Sequence, residues 1–311
     1  MKKSLIFISI LIVFCGFIKN KNYNYITSNY YQLIYEADTA YLVGNYEFAY
    51  KKLQEAEKKM PLIEQPMYYE ISRYVELLIK HQNYKKALFY INILVKDYGY
   101  PIKIFENEDY FTYLQQNTNW DKQKKRLNIQ YEKFYEKVDT NLLNTLIIMY
   151  ENDQKLRKEL NINPNKALDT IFLQQFAYID SINEIKIKEI FKNYGFPNDK
   201  MFGRSNNFPF KKPHDITAIL MHFSDTAYFK PILLEFIKKG ECSPRVLGNF
   251  VDSYERRDTA KLKYTYGIYQ NTRDQIKDIK HLDQRRKSIG MPPLEIELKR
   301  DSIIKKIYNI Q

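Results

Sequence analysis

The sequence predicts an all-α chain: repeated helical hairpins followed by a second, irregular helical domain. Three observations lead there. Glycine is scarce, at 9 of 311 residues, and Leu, Ile, Lys, Glu and Ala recur without long alternating runs, a composition of helices rather than sheets. A pattern of small alanines, a turn and a closing proline occurs twice in the first half. Apolar stripes at helical spacing, punctuated by glycine and proline, fill the second half. The 28 tyrosines and 19 phenylalanines then supply packing that Leu and Val supply elsewhere.

The first eighteen residues, MKKSLIFISILIVFCGFI, begin with two lysines and continue as an apolar run from Leu5 to Ile18. These are the charged and apolar regions of a secretory signal, and the run is shorter than the about 20 residues of a full membrane span. The expectation is export to the cell envelope or periplasm through a signal at 1–18. The alternative is an uncleaved membrane anchor through residues 4–18. Cys15 has Ile12 three residues upstream, as in a lipobox, but Phe14 stands where lipoprotein processing takes a small residue. Without the signal, Cys242 is the one remaining cysteine, so burial must hold the fold without an internal disulfide.

Residues 28–137 are expected to form a helical-repeat domain. In LIYEADTAYLVGNYEFAYKKLQEAEKKMP, residues 33–61, small side chains at Ala37, Ala49 and Ala56 permit two antiparallel helices to cross closely. Gly44-Asn45 makes the turn, and Pro61 stops the second helix. A more degenerate copy lies 38 residues on, setting Tyr84 and Ala87 against Tyr46 and Ala49, with Gln82 at the turn and Pro101 against Pro61. Both copies resemble tetratricopeptide repeats, and that resemblance implies binding of a protein or peptide in a concave groove. A third element around Trp120 reads as a helical pair closing the stack, since two repeats leave an apolar face uncovered.

Residues 139–311 are expected to form the second domain. It opens with a helix from Asp139, on which Leu142, Leu146, Met149, Leu156 and Leu160 make one stripe. Asp153 falls within that stripe, and Arg157, four residues on, is placed to pair it, so both are expected to be partly buried. The segment from Gly195 to Pro213 reads as a long loop carrying Arg204, Lys211 and Lys212. His222 stands off the stripe of its helix. Further on, Gly240 stops one helix, and Ser243 with Pro244 starts another, which leaves Asp252 to one side of its apolar stripe. In HLDQRRKSIGMPPL, residues 281–294, Arg285, Arg286 and Lys287 suit the C-terminal end of a helix that Gly290 and two prolines bring to a stop. Helix termination does not account for two adjacent arginines pointing about 100° apart.

Taken together, residues 139–298 resemble an uncharacterised bacterial domain-of-unknown-function family. The resemblance rests on Asp153-Gln154…Arg157, Gly195…Pro197, His222, Gly240-Glu241…Pro244, Asp252, Tyr266-Gly267 and Asp283…Arg285-Arg286…Gly290-Met291-Pro292-Pro293-Leu294. Ser253, Tyr264 and Ile268 replace an arginine, a glutamine and a threonine of that fingerprint. The resemblance implies fold and domain limits and carries no reaction.

The net charge of +12 is concentrated toward the end, where residues 256–311 hold 14 Lys and Arg against 7 Asp and Glu. Acids are interleaved with these bases, the pattern of solvated helix faces, and with the export signal no nucleic-acid partner is expected. No HExxH, CxxC or GxSxG occurs, and His81, His214, His222 and His281 stand apart, so no metal, cofactor or covalent hydrolase is expected. Two functional expectations remain. One is a protein or peptide partner for the repeat half. The other is a small anionic or polar ligand, or an enzyme substrate, held in the second half by Asp153, Arg157, His222, Asp252, Tyr266, Arg285 and Arg286, with His222 and Asp252 as the candidate acid–base pair.

Overall fold

The computed structural model describes residues 23–204, 215–257, 263–269 and 273–308. The expected signal or anchor, with Cys15, and Lys211, Lys212 and His214 lie outside the described residues. Every regular element among the described residues is helical, apart from one isolated bridge between Tyr264 and Ile276. None of these helices is long and apolar enough to cross a membrane.

Helices α1 (Tyr30–Leu42) and α2 (Tyr46–Lys59) form an antiparallel hairpin, as do α3 (Glu70–Lys80) and α4 (Tyr84–Tyr98). The two turns are built alike. Gly44 has φ of 79° and Gln82 φ of 57°, so glutamine takes the left-handed backbone that the first hairpin assigns to glycine. Asn45 and Asn83 then cap α2 and α4, accepting from the amides of Phe48 at 3.3 Å and Lys86 at 3.4 Å. Ala37, Ala49, Ala56 and Ala87 are buried where the helices cross. Gly99, left-handed at φ 61°, ends α4 before Pro101 is reached, and Pro101 instead precedes α5 (Ile102–Glu106).

The element around Trp120 is α6 (Phe111–Asn117) followed by α7 (Trp120–Tyr135), and α7 packs along α4 through buried Leu127 and Phe134. Asn119 caps α7 as Asn45 and Asn83 cap their helices, accepting from Lys122 N at 3.2 Å.

The second half opens with a long hairpin of α8 (Thr140–Ile162) and α9 (Thr170–Tyr194), started by Asp139 and Asp169 accepting amide hydrogens of the first turn. The segment expected as a loop from Gly195 contains a helical turn, α10 (Asp199–Phe202), which packs on α4. Asn198 caps it through Lys200 N at 3.0 Å, a signal hidden among glycines and prolines. Helices α11 (Thr217–Leu220), α12 (Thr226–Lys238) and α13 (Pro244–Glu255) follow. Ser243 and Pro244 start α13 as expected, although the serine hydroxyl makes no cap bond. Finally α14 (Leu282–Ser288) leads through Gly290 to α15 (Leu294–Tyr308).

The chain turns from α7 to α8 near the expected boundary at residue 138, yet the buried apolar side chains form one cluster running from Tyr25 to Met291. Helix α15 returns to pack on α1. The Tyr31 hydroxyl donates to Ile237 O and the Tyr35 hydroxyl to Gly290 O, each at 2.7 Å. Gly290 is required twice over: its φ is 87°, and a Cβ there would lie 2.7 Å from the Tyr31 ring. One buried ion cluster reinforces the same seam. Asp38 on α1 pairs with Arg73 on α3 and with Arg300 on α15, whose Nη2 also donates to Met67 O at 2.6 Å.

Candidate functional site

The seven residues expected to form one site divide between two clusters. The first is built on α8, α9 and α11. Asp153 is 1% exposed, as its place in the α8 stripe implies. Arg157 grips it with Nε 3.1 Å from both carboxylate oxygens and Nη2 2.7 Å from Oδ1, while Gln154 donates to Oδ2 at 2.7 Å. The same guanidinium reaches Asp180 on α9 at 2.7 Å and lies over the Phe176 ring, so Arg157 ties the long hairpin together.

His222 follows α11 and joins this cluster. Burial, and then the positive charge of Arg157, push its pKa down to about 4, with Asp153 opposing. The imidazole is therefore neutral at physiological pH. Arg257 donates to the carbonyls on either side of it, Met221 O and Phe223 O, both at 3.0 Å.

The second cluster organises the irregular segment between α13 and α15. Asp252 is fully buried rather than set to one side of its stripe, because α13 is covered on that flank by residues 264–268. Its two oxygens accept from the amides of Tyr266 at 2.9 Å and Ile268 at 2.8 Å, and burial pushes its carboxyl up to about 6. Tyr266 contributes its backbone at both ends: its carbonyl accepts from Arg286 Nη1 at 2.6 Å. Arg286, with no exposed surface, also donates to Pro292 O at 2.6 Å and pairs with Glu297 on α15. Glu297 is shared with Arg245 on α13. Arg285 donates to Thr265 O at 3.0 Å, Asp278 O at 2.9 Å and Lys277 O.

These contacts correct two expectations, the acid–base pair and the shared ligand site. His222 and Asp252 make no acid–base pair, since the carboxylate is spent on two backbone amides and the imidazole sits beside Arg157. Arg285 and Arg286 stand in the last turn of α14, as expected, and their guanidinium groups donate to backbone carbonyls and, from Arg286, to Glu297. The ligand site combining Arg157, His222, Tyr266 and one of these arginines does not assemble. The arginine pair is explained as two staples, Arg285 holding the carbonyls of Thr265, Lys277 and Asp278 and Arg286 those of Tyr266 and Pro292.

A different site lies in the first half. A groove of about 620 Å³ runs over the end of α3, the starts of α2 and α4, and residues 108–113. Tyr46, Tyr84, Tyr110 and Tyr113 give it an aromatic surface, and Glu76, Glu108 and Asp109 give it negative charge. Its one lysine, Lys80, is already committed, 2.8 Å from Glu76 and 3.6 Å from the Tyr46 ring centroid. The Glu108 carboxyl is pushed upward by desolvation and then by Glu76 and Asp109, with Arg204 opposing. None of the seven expected residues lines this groove. Its signal in the sequence was slight: an aromatic residue directly after each capping asparagine at Asn45 and Asn83.

Among the described residues no group of three or more His, Cys, Asp or Glu side chains is gathered as a metal ion would require. Compared with known proteins, the chain matches no family model, no curated protein and no solved structure.

Proposed function

We propose that the protein is an exported, envelope-associated helical-repeat protein that binds a protein partner through a basic peptide segment laid in the tyrosine-lined groove. The observation that carries this reading is the groove's charge. Three carboxylates face one committed lysine, although the whole chain carries +12, so local sequence rather than overall composition makes the groove acidic. Aromatic rings flanked by carboxylates suit lysine and arginine side chains, whose apolar stems pack on the rings while the charged heads reach the acids. Tyrosine also provides contact area at low entropic cost.

The tetratricopeptide-like reading of residues 28–137 is supported by the matched turns and asparagine caps of the two hairpins. Export rests on the charged and apolar start of the sequence. For residues 139–298, the likeness to the domain family rests on the sequence fingerprint.

Fluorescence anisotropy with labelled peptides, some rich in Lys and Arg and some in Asp and Glu, tests the proposal. Basic peptides should bind with an affinity that falls as salt is raised, and Glu108→Gln and Tyr113→Ala should each weaken binding about tenfold. Equal binding of acidic and basic peptides, or indifference to both substitutions, would refute it.

A further inference from the structure

A second cavity, of about 240 Å³, lies where the two halves meet. Residues 64–67 and Tyr98 wall it on one side, and segments 196–200 and 240–249 on the other. It gathers Pro197, Gly240 and Glu241 from the Gly195…Pro197 and Gly240-Glu241…Pro244 motifs, which neither the groove nor the two side-chain clusters use. Pro66, Met67, Tyr98, Phe196 and Val246 supply apolar wall.

Most of the charges lining it are engaged. Arg245 is paired with Glu297, and Glu64 accepts from Ile71 N, Ser72 N and the Ser72 and Tyr100 hydroxyls. Asp215 accepts from Thr217 N, and Asp199 has an interaction partner of its own.

Three polar groups in the lining are not engaged in this way. Gln65, only 5% exposed, donates weakly to Cys242 O at 3.4 Å but keeps its amide oxygen without a hydrogen-bond partner. A buried acceptor left so costs free energy unless something supplies a donor. The Glu241 carboxylate and the Lys200 ammonium line the same cavity, and among the described residues neither forms an ion pair, with the other or elsewhere. The Lys200 nitrogen lies 5.3 Å from the Tyr98 ring centroid, and the Asp97 and Glu241 carboxylates act on it through space.

A carboxylate and an ammonium without ion pairs, set around apolar walls, describe the complement of a zwitterion with an apolar body. We propose that this cavity binds a free α-amino acid with an apolar side chain. The ligand's ammonium meets Glu241, its carboxylate meets Lys200, and its side chain lies against Met67, Phe196 and Val246. The volume suits a side chain the size of leucine, methionine or phenylalanine, and both halves of the protein contribute to the site.

Isothermal titration calorimetry on the whole protein tests this with L-leucine, L-methionine and L-phenylalanine. Isopentylamine and 4-methylpentanoate serve as probes carrying only one of leucine's two charges. At least one amino acid should bind with a sub-millimolar Kd and the single-charge probes at least about tenfold more weakly; Glu241→Gln and Lys200→Met should each weaken the amino acid about tenfold. Circular dichroism of both variants establishes that they are folded, which their positions at the rim of the cavity favour. Three outcomes overturn the proposal: no heat from any of the three at about 10 mM, isopentylamine binding as tightly as leucine, or amino-acid binding that ignores both substitutions.

Discussion

Arg300 and Asp38 stand 262 residues apart in the chain and meet with Nε 2.5 Å from Oδ2, both almost wholly buried. The pair joins the last helix to the first, and Arg73 completes it from α3. Breaking a buried pair leaves an uncompensated charge. Asp38→Ala removes the buried carboxylate shared by two arginines, although Arg300 keeps Met67 O and Asp301 at 3.8 Å, and should cost about 3 kcal/mol, whereas Arg300→Met leaves Asp38 with Arg73 and should cost less. Urea denaturation of the two variants measures the order, and a larger loss in Arg300→Met would contradict the assignment.

Asp153 and Arg157 form a similar but better-buffered pair, because Arg157 retains Asp180 when Asp153 is lost. Asp153→Ala should therefore cost about 2–3 kcal/mol, below the full penalty of a stranded charge. The double variant Asp153→Ala/Asp180→Ala should cost more than the sum of the singles, since only then is Arg157 left alone. A double-mutant cycle on thermal or urea unfolding reads this directly, and simple additivity would show that the two carboxylates act independently.

His222 makes stability depend on pH on the acid side. Its folded pKa of about 4 lies below its ordinary value of 6.5. Its contribution is thus fully present above pH 6.5 and is lost as the pH falls through that window toward 4. With its partial exposure taken into account, the loss should be about 1–2 kcal/mol. His222→Gln should flatten the melting temperature between those limits. An unchanged slope would mean that the imidazole titrates as it does in water.

Asp252 acts in the opposite sense. Its folded pKa of about 6 lies above its ordinary 3.8, so its contribution is full below pH 3.8 and declines as the pH rises through 6. Asp252→Asn retains one acceptor for the two amides and should destabilise by about 1–3 kcal/mol at pH 4. The penalty should shrink by pH 7, where the native carboxylate bears a buried charge. Stability curves of the two proteins that run parallel across this range would contradict the account.

Gln82 holds a left-handed backbone that costs a side-chain-bearing residue about 1–2 kcal/mol. Gln82→Gly should therefore raise stability, by up to about 1 kcal/mol after the entropic cost of glycine. Gly44→Gln, the reverse exchange at the matching turn, should lower it. Differential scanning calorimetry distinguishes the pair by sign, and a loss of stability in Gln82→Gly would separate the two turns.

By itself the sequence determined the all-helical class and most of the local boundaries. Alanine spacing around Gly44-Asn45, the cap at Asp139, the Ser243-Pro244 start and the Gly290 stop are interactions among residues a few positions apart, so local pattern specifies them. Asp153 with Arg157 was legible for the same reason, as an i,i+4 pair on an apolar stripe. The tertiary structure alone decided what covers each helix on its other sides. Asp252 is buried because residues 264–268 fold over α13, and Arg286 points inward because Glu297 and two carbonyls lie there, and neither circumstance leaves a periodic trace. The junction cavity and the Asp38–Arg300 pair were invisible, and the groove nearly so, for a further reason. Each joins segments whose separation is fixed by packing, and single-chain periodicity carries no record of distances across a core.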